Sequence, residues 1–236
     1  MKRSFNLLGL AFVLACATAP QVAPNRYGLR VVPDVRTYQQ IVAHDTNQRL
    51  VDLQSFIPGI VLDIRYATTN NFMHEQLYPL AKAFLRYPAA TALRDAEREL
   101  AGQNLGLKIF DAYRPYSITE RMWEPIKNAD FVADPAKGSR HNRGAAVDLT
   151  LIDLRSGQEL PMPSNYDEFS ERAYRKYTGG TPQELANRQL LEDTMKRHGF
   201  LPLPSEWWHF DYETWQQFDL MDVKLEDLAS ETRDHR

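Results

Sequence analysis

The chain has 236 residues, of which 43% are hydrophobic and 25% are charged, a composition typical of a folded globular protein and not of a disordered one. Its 28 basic and 31 acidic residues give a formal net charge of -3, so the sequence lacks the basic excess expected of a nucleic-acid-binding protein. The single cysteine, Cys16, excludes an intramolecular disulfide and a cysteine-based zinc finger. Any bound metal would therefore need histidine and carboxylate ligands.

Residues 1–19 carry the pattern of an export signal. Two basic residues precede an apolar run from Phe5 to Ala15, which is well short of the roughly 20 residues needed to cross a bilayer. The run ends at Cys16, as bacterial lipoprotein signals do. We therefore predict cleavage before Cys16, lipidation of that cysteine, and a periplasmic or outer-membrane-anchored protein of the cell envelope. Residues 17–19, Ala-Thr-Ala, offer a competing signal-peptidase site that would remove Cys16.

The rest of the chain predicts one α+β domain, about residues 27–225. An Ala- and Pro-rich tether (residues 17–26) precedes this domain, and an acidic, solvated tail (residues 226–236) follows it. Strands and helices do not alternate regularly, and there is no internal repeat.

Periodicity and capping signals predict the individual elements of this domain. Apolar alternation predicts strands over residues 60–66, 105–110 and 146–152, and an extended aromatic segment over residues 207–212. The predicted helices begin at Pro88, at a capping box over residues 117–120, and at a second capping box over residues 181–184 whose helix ends at Gly199.

The segment from Ser139 to Asp148 holds the first candidates for chemistry. If residues 146–152 form a strand, Asp148 is presented from a rigid element, and the loop containing Gly144 can fold His141 back over the same face. A histidine and an aspartate placed in this way could bind one metal ion. A hydrogen-bonded pair, or two surface residues, would fit the same spacing.

A second segment, Glu206 to Phe210, strengthens the interpretation as a metal site. A catalytic zinc centre needs three protein ligands, an open position for water and a carboxylate that takes the proton of that water. His209 offers the third ligand and Glu206 the base. Residues three apart on a regular strand face opposite sides, so this hypothesis requires a bend near Glu206 or Trp207. An aromatic core strand with a capping glutamate is the structural alternative.

Together the two segments resemble the zinc-dependent D-alanyl-D-alanine dipeptidases, the family that includes the vancomycin-resistance dipeptidases. The family pattern S-x-H-x-x-G-x-A-x-D falls without a gap on residues 139–148, and the pattern E-W-W-H falls on residues 206–209. The resemblance covers about residues 55–215. It implies an α+β domain with a central, mainly antiparallel sheet flanked by helices, the fold of the D-Ala-D-Ala dipeptidases and the Hedgehog-like zinc peptidases.

The resemblance also implies one zinc ion per chain and a role for each matched residue. The implied metal ligands are His141, Asp148 and His209; the general base is Glu206; the residue that stabilises the transition state is Arg114; and the residues that hold the substrate's ammonium end are Asp167, Tyr66 and Ser139. In the implied reaction, Glu206 takes a proton from zinc-bound water as hydroxide attacks the peptide carbonyl, and the permanently charged guanidinium of Arg114 stabilises the oxyanion.

The predicted function is hydrolysis of the dipeptide D-Ala-D-Ala, with no nucleic-acid partner and no membrane contact beyond a lipid on Cys16. Two alternatives stay open: a zinc peptidase of the same fold that trims peptidoglycan stem peptides as a carboxypeptidase or endopeptidase, and a non-catalytic zinc-binding module. The family usually has a Gly-Thr pair shortly before the position of Asp167, where this chain has Pro163-Ser164. That difference leaves the substrate preference open, and the sequence does not indicate an oligomeric state.

Overall fold

The computed structural model of the chain describes residues 20–234. Cys16 and the predicted signal sequence lie outside this range. Among the helices of the described range, none is both long enough and apolar enough to cross a membrane.

Residues 20–234 form six α-helices and nine β-strands, joined by loops and short 3-10 turns. The helices are α1 (Val35–His44), α2 (Leu53–Phe56), α3 (Tyr87–Ala101), α4 (Tyr116–Ile126), α5 (Pro182–Arg197) and α6 (Leu225–Asp234). The strands are β1 (Val31–Val32), β2 (Leu50–Asp52), β3 (Val61–Leu62), β4 (Phe84–Arg86), β5 (Leu105–Asp111), β6 (Ala146–Asp153), β7 (Phe200–Pro202), β8 (His209–Tyr212) and β9 (Leu220–Met221).

A five-stranded sheet with the order β3-β5-β6-β8-β7 lies at the centre of the fold. β3 pairs with β5 in parallel, and the other three pairs are antiparallel, so the prediction of an α+β domain with a mainly antiparallel sheet is confirmed. β6 is the middle strand, and its residues 146–152 are all buried. Both of its faces are therefore covered, and its polar residues lie in the interior of the protein.

Helices α3 and α5 pack against each other and against strands β5 and β7 of the sheet. Leu93 and Leu100 of α3 and Leu191 of α5 are fully buried. Each such leucine contributes about 2 kcal/mol through removal of its apolar surface from water. The predicted helix starting at Pro88 is confirmed as α3.

The predicted start and end of α5 are confirmed. The Thr181 side chain accepts a hydrogen bond from the Glu184 backbone N–H, and the Glu184 carboxylate accepts one from the Thr181 N–H. Pro182 occupies the first turn, where its missing N–H costs nothing. After the helix, Gly199 adopts the left-handed conformation, with φ +78°.

The predicted capping box at residues 117–120 is wrong. Helix α4 begins at Tyr116, so Ser117 lies inside its first turn. The backbone N–H and the hydroxyl of Ser117 both donate to the Asp222 carboxylate, at 2.8 and 2.6 Å. The first turn of α4 is therefore stabilised by a carboxylate 105 residues away in the sequence. The local pair of Ser117 and Glu120, which the sequence predicted as a capping box, does not form one.

The prediction of a solvated tail from residue 226 onwards is also wrong for the described part of that segment. Residues Leu225–Asp234 form α6, and Leu225, Leu228 and Ala229 are buried. Their spacing of three and four residues places them on one face of the helix, which packs near β2. At the other end of the domain, Val22 of the predicted tether packs against the core.

Candidate metal and active site

Strands β6 and β8 place two of the predicted ligands side by side. Asp148 of β6 is paired with His209 of β8 in the antiparallel register. The chain bends at residues 207–208 before β8 begins, as the hypothesis required, and this bend brings Glu206 and His209 to the same cavity.

His141 reaches the same point from a 3-10 turn of residues 141–143. The turn ends at Gly144, whose φ of +64° lies in the left-handed region that favours glycine. The carbonyl oxygen of His141 accepts hydrogen bonds from the N–H groups of Gly144, at 3.0 Å, and Arg114, at 3.1 Å. These contacts fix the turn over the end of β6.

The three predicted ligand atoms form an almost equilateral triangle. Nε2 of His141 lies 3.1 Å from Nδ1 of His209 and 3.3 Å from Oδ1 of Asp148, and the remaining side, Nδ1 of His209 to Oδ1 of Asp148, is 3.0 Å. Four tetrahedral ligands at zinc–nitrogen and zinc–oxygen bond lengths lie about 3.3 Å apart. The triangle therefore has the dimensions of one face of a zinc site.

The outer nitrogen of each imidazole is held by a hydrogen-bond acceptor. Nδ1 of His141 lies 2.6 Å from the carbonyl oxygen of Ala112, and Nε2 of His209 lies 2.9 Å from Oδ1 of Asp211. Each outer nitrogen must donate its proton to that acceptor, so in the neutral rings the inner nitrogens carry lone pairs. Two lone pairs and a carboxylate oxygen then point at one place, and this donor set fits a zinc ion.

The charges around the triangle also favour a cation. Burial opposes ionisation of Asp148, but His141 and His209 outweigh it and hold the pKa of that carboxyl well below its usual range. Burial lowers the pKa of His209, whereas the carboxylates of Asp211 and Asp148 outweigh it and raise that pKa to about 10. The site therefore stabilises positive charge at the position where the three ligand atoms meet.

Glu206 lies beside the triangle but is not one of its corners. Its Oε2 is 3.9 Å from Nδ1 of His209, and it lines the same cavity of about 320 Å³. Burial raises the pKa of Glu206 to about 7, with His209 opposing the shift and Asp148 adding to it. A carboxyl group that titrates near neutral pH can both accept and release a proton.

Arg114 is held at the wall of this cavity by a second carboxylate. Its Nε and Nη2 donate to Oδ2 of Asp111 at 2.9 and 2.6 Å, and the Tyr78 hydroxyl donates to Oδ1 of Asp111 at 2.8 Å. Burial alone would lower the pKa of Arg114, but Asp111 outweighs it, and the pKa lies well above its ordinary value. The guanidinium is thus a fixed, permanent positive charge.

The structure brings Tyr66 and Asp167 together at the cavity. The Tyr66 hydroxyl donates to the Asp167 carboxylate, with oxygen distances of 3.0 and 3.2 Å. Burial, with a contribution from the charge of Asp148, raises the pKa of Asp167 well above its ordinary value. Ser139 also lines the cavity, and its Oγ accepts a hydrogen bond from the His141 N–H at 3.2 Å.

Sequence reasoning gave no role to three residues that support the site. Asp211 lies two residues after His209 on β8, and this period of two, which places both on one face, could have identified it. Asp111, the last residue of β5, precedes Arg114 by three residues. The hydroxyl of Tyr166 lies 3.1 Å from Oδ2 of Asp148, although the two residues are 18 positions apart and no spacing indicated the contact.

Comparison with known proteins assigns the chain to a family. The family model described as D-ala-D-ala dipeptidase matches residues 46–224. The chain belongs to this family of peptidases. The resemblance inferred from the two motifs is confirmed, and the protein is a member of a hydrolase family.

Two relatives and one solved structure illustrate the similarity. A D-alanyl-D-alanine dipeptidase of Escherichia coli (strain K12) is 36% identical over 167 residues, covering 71% of this chain and 86% of that protein. A D-alanyl-D-alanine dipeptidase of Enterococcus faecium is 31% identical over 180 residues, covering 67% of this chain and 88% of that protein. A solved structure of VanYB in complex with D-alanine-D-alanine has 15% identity and a TM-score of 0.36, covering 63% of this chain and 83% of that one.

Proposed function

We propose that the protein is a zinc-dependent dipeptidase that hydrolyses D-alanyl-D-alanine. The observation that carries this proposal is the triangle of ligand atoms, 3.0 to 3.3 Å apart, with a separate carboxylate beside it in one cavity. His141, Asp148 and His209 would hold one zinc ion. Zinc, when bound, supplies a Lewis acid that acidifies water and polarises a carbonyl group.

Glu206 acts as the general base in this proposal. Its Oε2 lies close to the triangle without belonging to it, so the carboxylate can take a proton from the attacking water and hand it to the nitrogen of the leaving amine. Burial raises the pKa of Glu206 in the metal-free protein above its ordinary value, which makes this carboxyl group a better proton acceptor than an exposed glutamate.

Arg114 stabilises the negative charge that develops on the substrate's carbonyl oxygen. Its salt bridge with Asp111 fixes the guanidinium before the substrate arrives, so no reorganisation is needed during the reaction. Because the pKa of Arg114 lies well above its ordinary value, the group stays charged and does not compete with Glu206 for the proton.

Asp167, with Tyr66 and Ser139, holds the substrate's ammonium end. Partial burial opposes ionisation of Asp167, which lines the cavity, and the ammonium group of a bound substrate would stabilise the charged form of this carboxyl group. This arrangement favours a substrate with a free N-terminus, that is, a dipeptide over a peptidoglycan polymer. The two relatives described above are named for the dipeptide D-alanyl-D-alanine, which supports the same choice.

The cell envelope is the proposed location of this reaction. The basic and apolar N-terminal pattern ending at Cys16 supports export and lipid anchoring. Enzyme and substrate would then meet outside the cytoplasm, where D-alanyl peptides of the cell wall are turned over.

A substrate panel tests the proposal. Purified zinc-loaded protein is assayed with D-Ala-D-Ala, L-Ala-L-Ala, N-acetyl-D-Ala-D-Ala and a stem pentapeptide ending in D-Ala-D-Ala. We expect D-Ala-D-Ala to be hydrolysed with the highest kcat/KM, and the acetylated form to be much slower because it lacks the ammonium group. Preference for the pentapeptide would favour the stem-peptide peptidase instead. Zinc binding without hydrolysis of any of the four would favour the non-catalytic module.

A further inference from the structure

Tyr166 is a buried tyrosine that the proposed reaction does not use. It is 8% exposed, and its ring stacks on Phe110, with centroids 4.6 Å apart, and meets the edge of Trp208 at 5.4 Å. The start of its loop is also held, because Nε1 of Trp207 donates to Oγ of Ser164 at 2.9 Å. The packing therefore fixes the position of the Tyr166 hydroxyl group.

That hydroxyl lies between two other oxygen atoms. It is 3.1 Å from Oδ2 of Asp148 and 3.3 Å from the hydroxyl oxygen of Tyr66. Tyr66 uses its single proton toward Asp167, which lies at 3.0 Å. Tyr166 also has one proton, and a carboxylate is a stronger acceptor than a phenol, so this proton goes to Asp148.

The two oxygens of Asp148 thus have different partners. Oδ1 faces His141 and His209, the other two corners of the triangle. Oδ2 accepts the hydrogen bond of Tyr166. Oδ2 is therefore tied to a hydroxyl group that is not part of the triangle.

We infer that Tyr166 is a positioning residue of the metal site, whose hydroxyl holds Oδ2 of Asp148 so that the carboxylate presents only Oδ1 to the metal. The inference rests on the proposed zinc site. A carboxylate that bound through both oxygens would occupy a position that a catalytic zinc site keeps open for water and substrate.

The hydroxyl groups of Tyr166 and Tyr66 lie between two acidic residues that line the cavity, Asp148 and Asp167. Tyr166 donates to Asp148 and Tyr66 donates to Asp167, so each carboxylate has its own proton donor. Asp148 is thereby assigned to the metal and Asp167 to the substrate's ammonium group. Loss of the Tyr166 hydroxyl would free Asp148 to rotate.

Replacing Tyr166 with phenylalanine tests the inference, because the ring and its packing stay while the hydroxyl is lost. We expect the zinc dissociation constant of Tyr166→Phe, measured by competition with a chelator, to rise about 10- to 100-fold. In the cobalt-substituted protein, a second oxygen of Asp148 would raise the coordination number, so the visible absorption should weaken. The thermal midpoint of the metal-free variant measures its folding independently.

Tyr113→Phe is the matched control. Tyr113 is also buried, and its hydroxyl donates to the backbone carbonyl of Val223 at 2.8 Å, so the variant loses a buried phenol hydrogen bond whose acceptor is not a residue of the site. We expect its zinc affinity and cobalt spectrum to match those of the wild type. A similar loss of affinity in both variants would show a general effect of hydroxyl removal and would overturn the inference.

The wild-type protein provides a measurement that does not depend on folding of a variant. X-ray absorption of the zinc-loaded wild type should show one oxygen contributed by Asp148, and two would overturn the inference. Unchanged affinity and spectrum in Tyr166→Phe would overturn it as well. Failure of the wild type to bind zinc is a different result, because it would remove the proposed function on which the inference depends.

Discussion

The residues of the site divide into groups that would bind the metal and groups that would act on the substrate. The ligand atoms of His141, Asp148 and His209 lie within hydrogen-bond distance of one another, whereas Glu206 stands off at 3.9 Å from Nδ1 of His209. Removal of a ligand should therefore lower metal binding, whereas removal of Glu206 should leave metal binding intact. Single substitutions can separate these two effects.

Glu206→Ala is the first such substitution. We expect the variant to fold and to keep its zinc while kcat for D-Ala-D-Ala falls by about 10²- to 10⁴-fold, the usual loss for a general acid–base group. Zinc content by elemental analysis and kcat by steady-state assay measure the two properties in one preparation. Glu171→Gln is the control, since Glu171 is exposed and far from the triangle in sequence. Turnover near the wild-type value in Glu206→Ala would remove Glu206 from the mechanism.

At the scale of single elements, local patterns in the sequence predicted two central strands of the sheet and the two helices that pack on the sheet. Helical spacing and a genuine capping box identified α3 and α5, and alternation identified β5 and β6. The prediction failed where a distant residue replaced a local signal. Asp222 caps the region of Ser117, and packing of α6 against the core orders a segment that its charges suggested was solvated.

The candidate site was also predictable where local patterns in the sequence carry the information, and it was missed where contacts between distant residues decide the structure. Motif spacing identified the three ligand positions and Glu206, which the structure brings together at one cavity. The contact from Asp211 was open to prediction, because Asp211 follows His209 by two residues on one strand. The contact from Tyr166 depends on the path of a long loop, which single-sequence patterns do not encode.

Gly144 belongs to the motif of residues 139–148, and both its backbone conformation and its close contact with Leu50 favour glycine at this position. A Cβ atom there would lie 2.5 Å from Cδ2 of Leu50, and φ is +64°. We expect Gly144→Ala to lower the free energy of unfolding by about 2 to 4 kcal/mol, because left-handed strain and a core clash act together. Gly157→Ala is the matched control, with φ +71° and open space around the added atom. Chemical denaturation measures the free energy of unfolding of both variants. Equal losses in the two variants would contradict the role of the Leu50 contact.

Glu97 of α3 makes the stability of the fold depend on pH. Its carboxylate accepts a hydrogen bond from the Leu107 N–H at 2.7 Å, and burial raises its pKa from 4.5 to about 7, with that hydrogen bond opposing the shift. Between these two pH values the folded protein binds a proton that the unfolded chain has lost. Stability contributed by this group is therefore complete below about pH 4.5 and decreases as the pH rises through about 7.

We expect Glu97→Gln to gain stability relative to the wild type, by up to about 3 kcal/mol, as the pH rises from 4.5 to 8. Urea denaturation across this range measures the difference. Glu99→Gln on the same helix should show the opposite pH dependence of its stability difference from the wild type. Hydrogen bonds from Arg197 and His198 lower the pKa of Glu99, whereas burial raises that of Glu97. A stability difference between Glu97→Gln and the wild type that does not change with pH would contradict the raised pKa of Glu97.

At the scale of the whole molecule, a catalytic domain with a central sheet follows a segment that the sequence predicts to direct export. The family match over residues 46–224 lies entirely within the described part of the chain. The family assignment therefore rests on the folded domain, and the proposed location rests on the segment before it. The two can be tested separately.

Cys16→Ser tests the proposed location. Bacterial lipoprotein processing attaches more than one acyl chain, which gives stable anchoring without a transmembrane helix. We expect the wild-type protein to fractionate with membranes and the variant to become extractable without detergent, with unchanged activity of its catalytic domain. Equal membrane association of the two forms would contradict lipidation at Cys16.

A zinc titration measures whether a single zinc ion, bound at the triangle, enables the proposed peptidase reaction. The protein is stripped with a chelator, zinc is returned in known amounts, and D-Ala-D-Ala hydrolysis is measured at each step. We expect activity to be lost on stripping and to be restored in proportion to the added zinc, with its maximum at one zinc per chain. Full turnover in the stripped protein, or no hydrolysis at one zinc per chain, would contradict this role of the zinc ion.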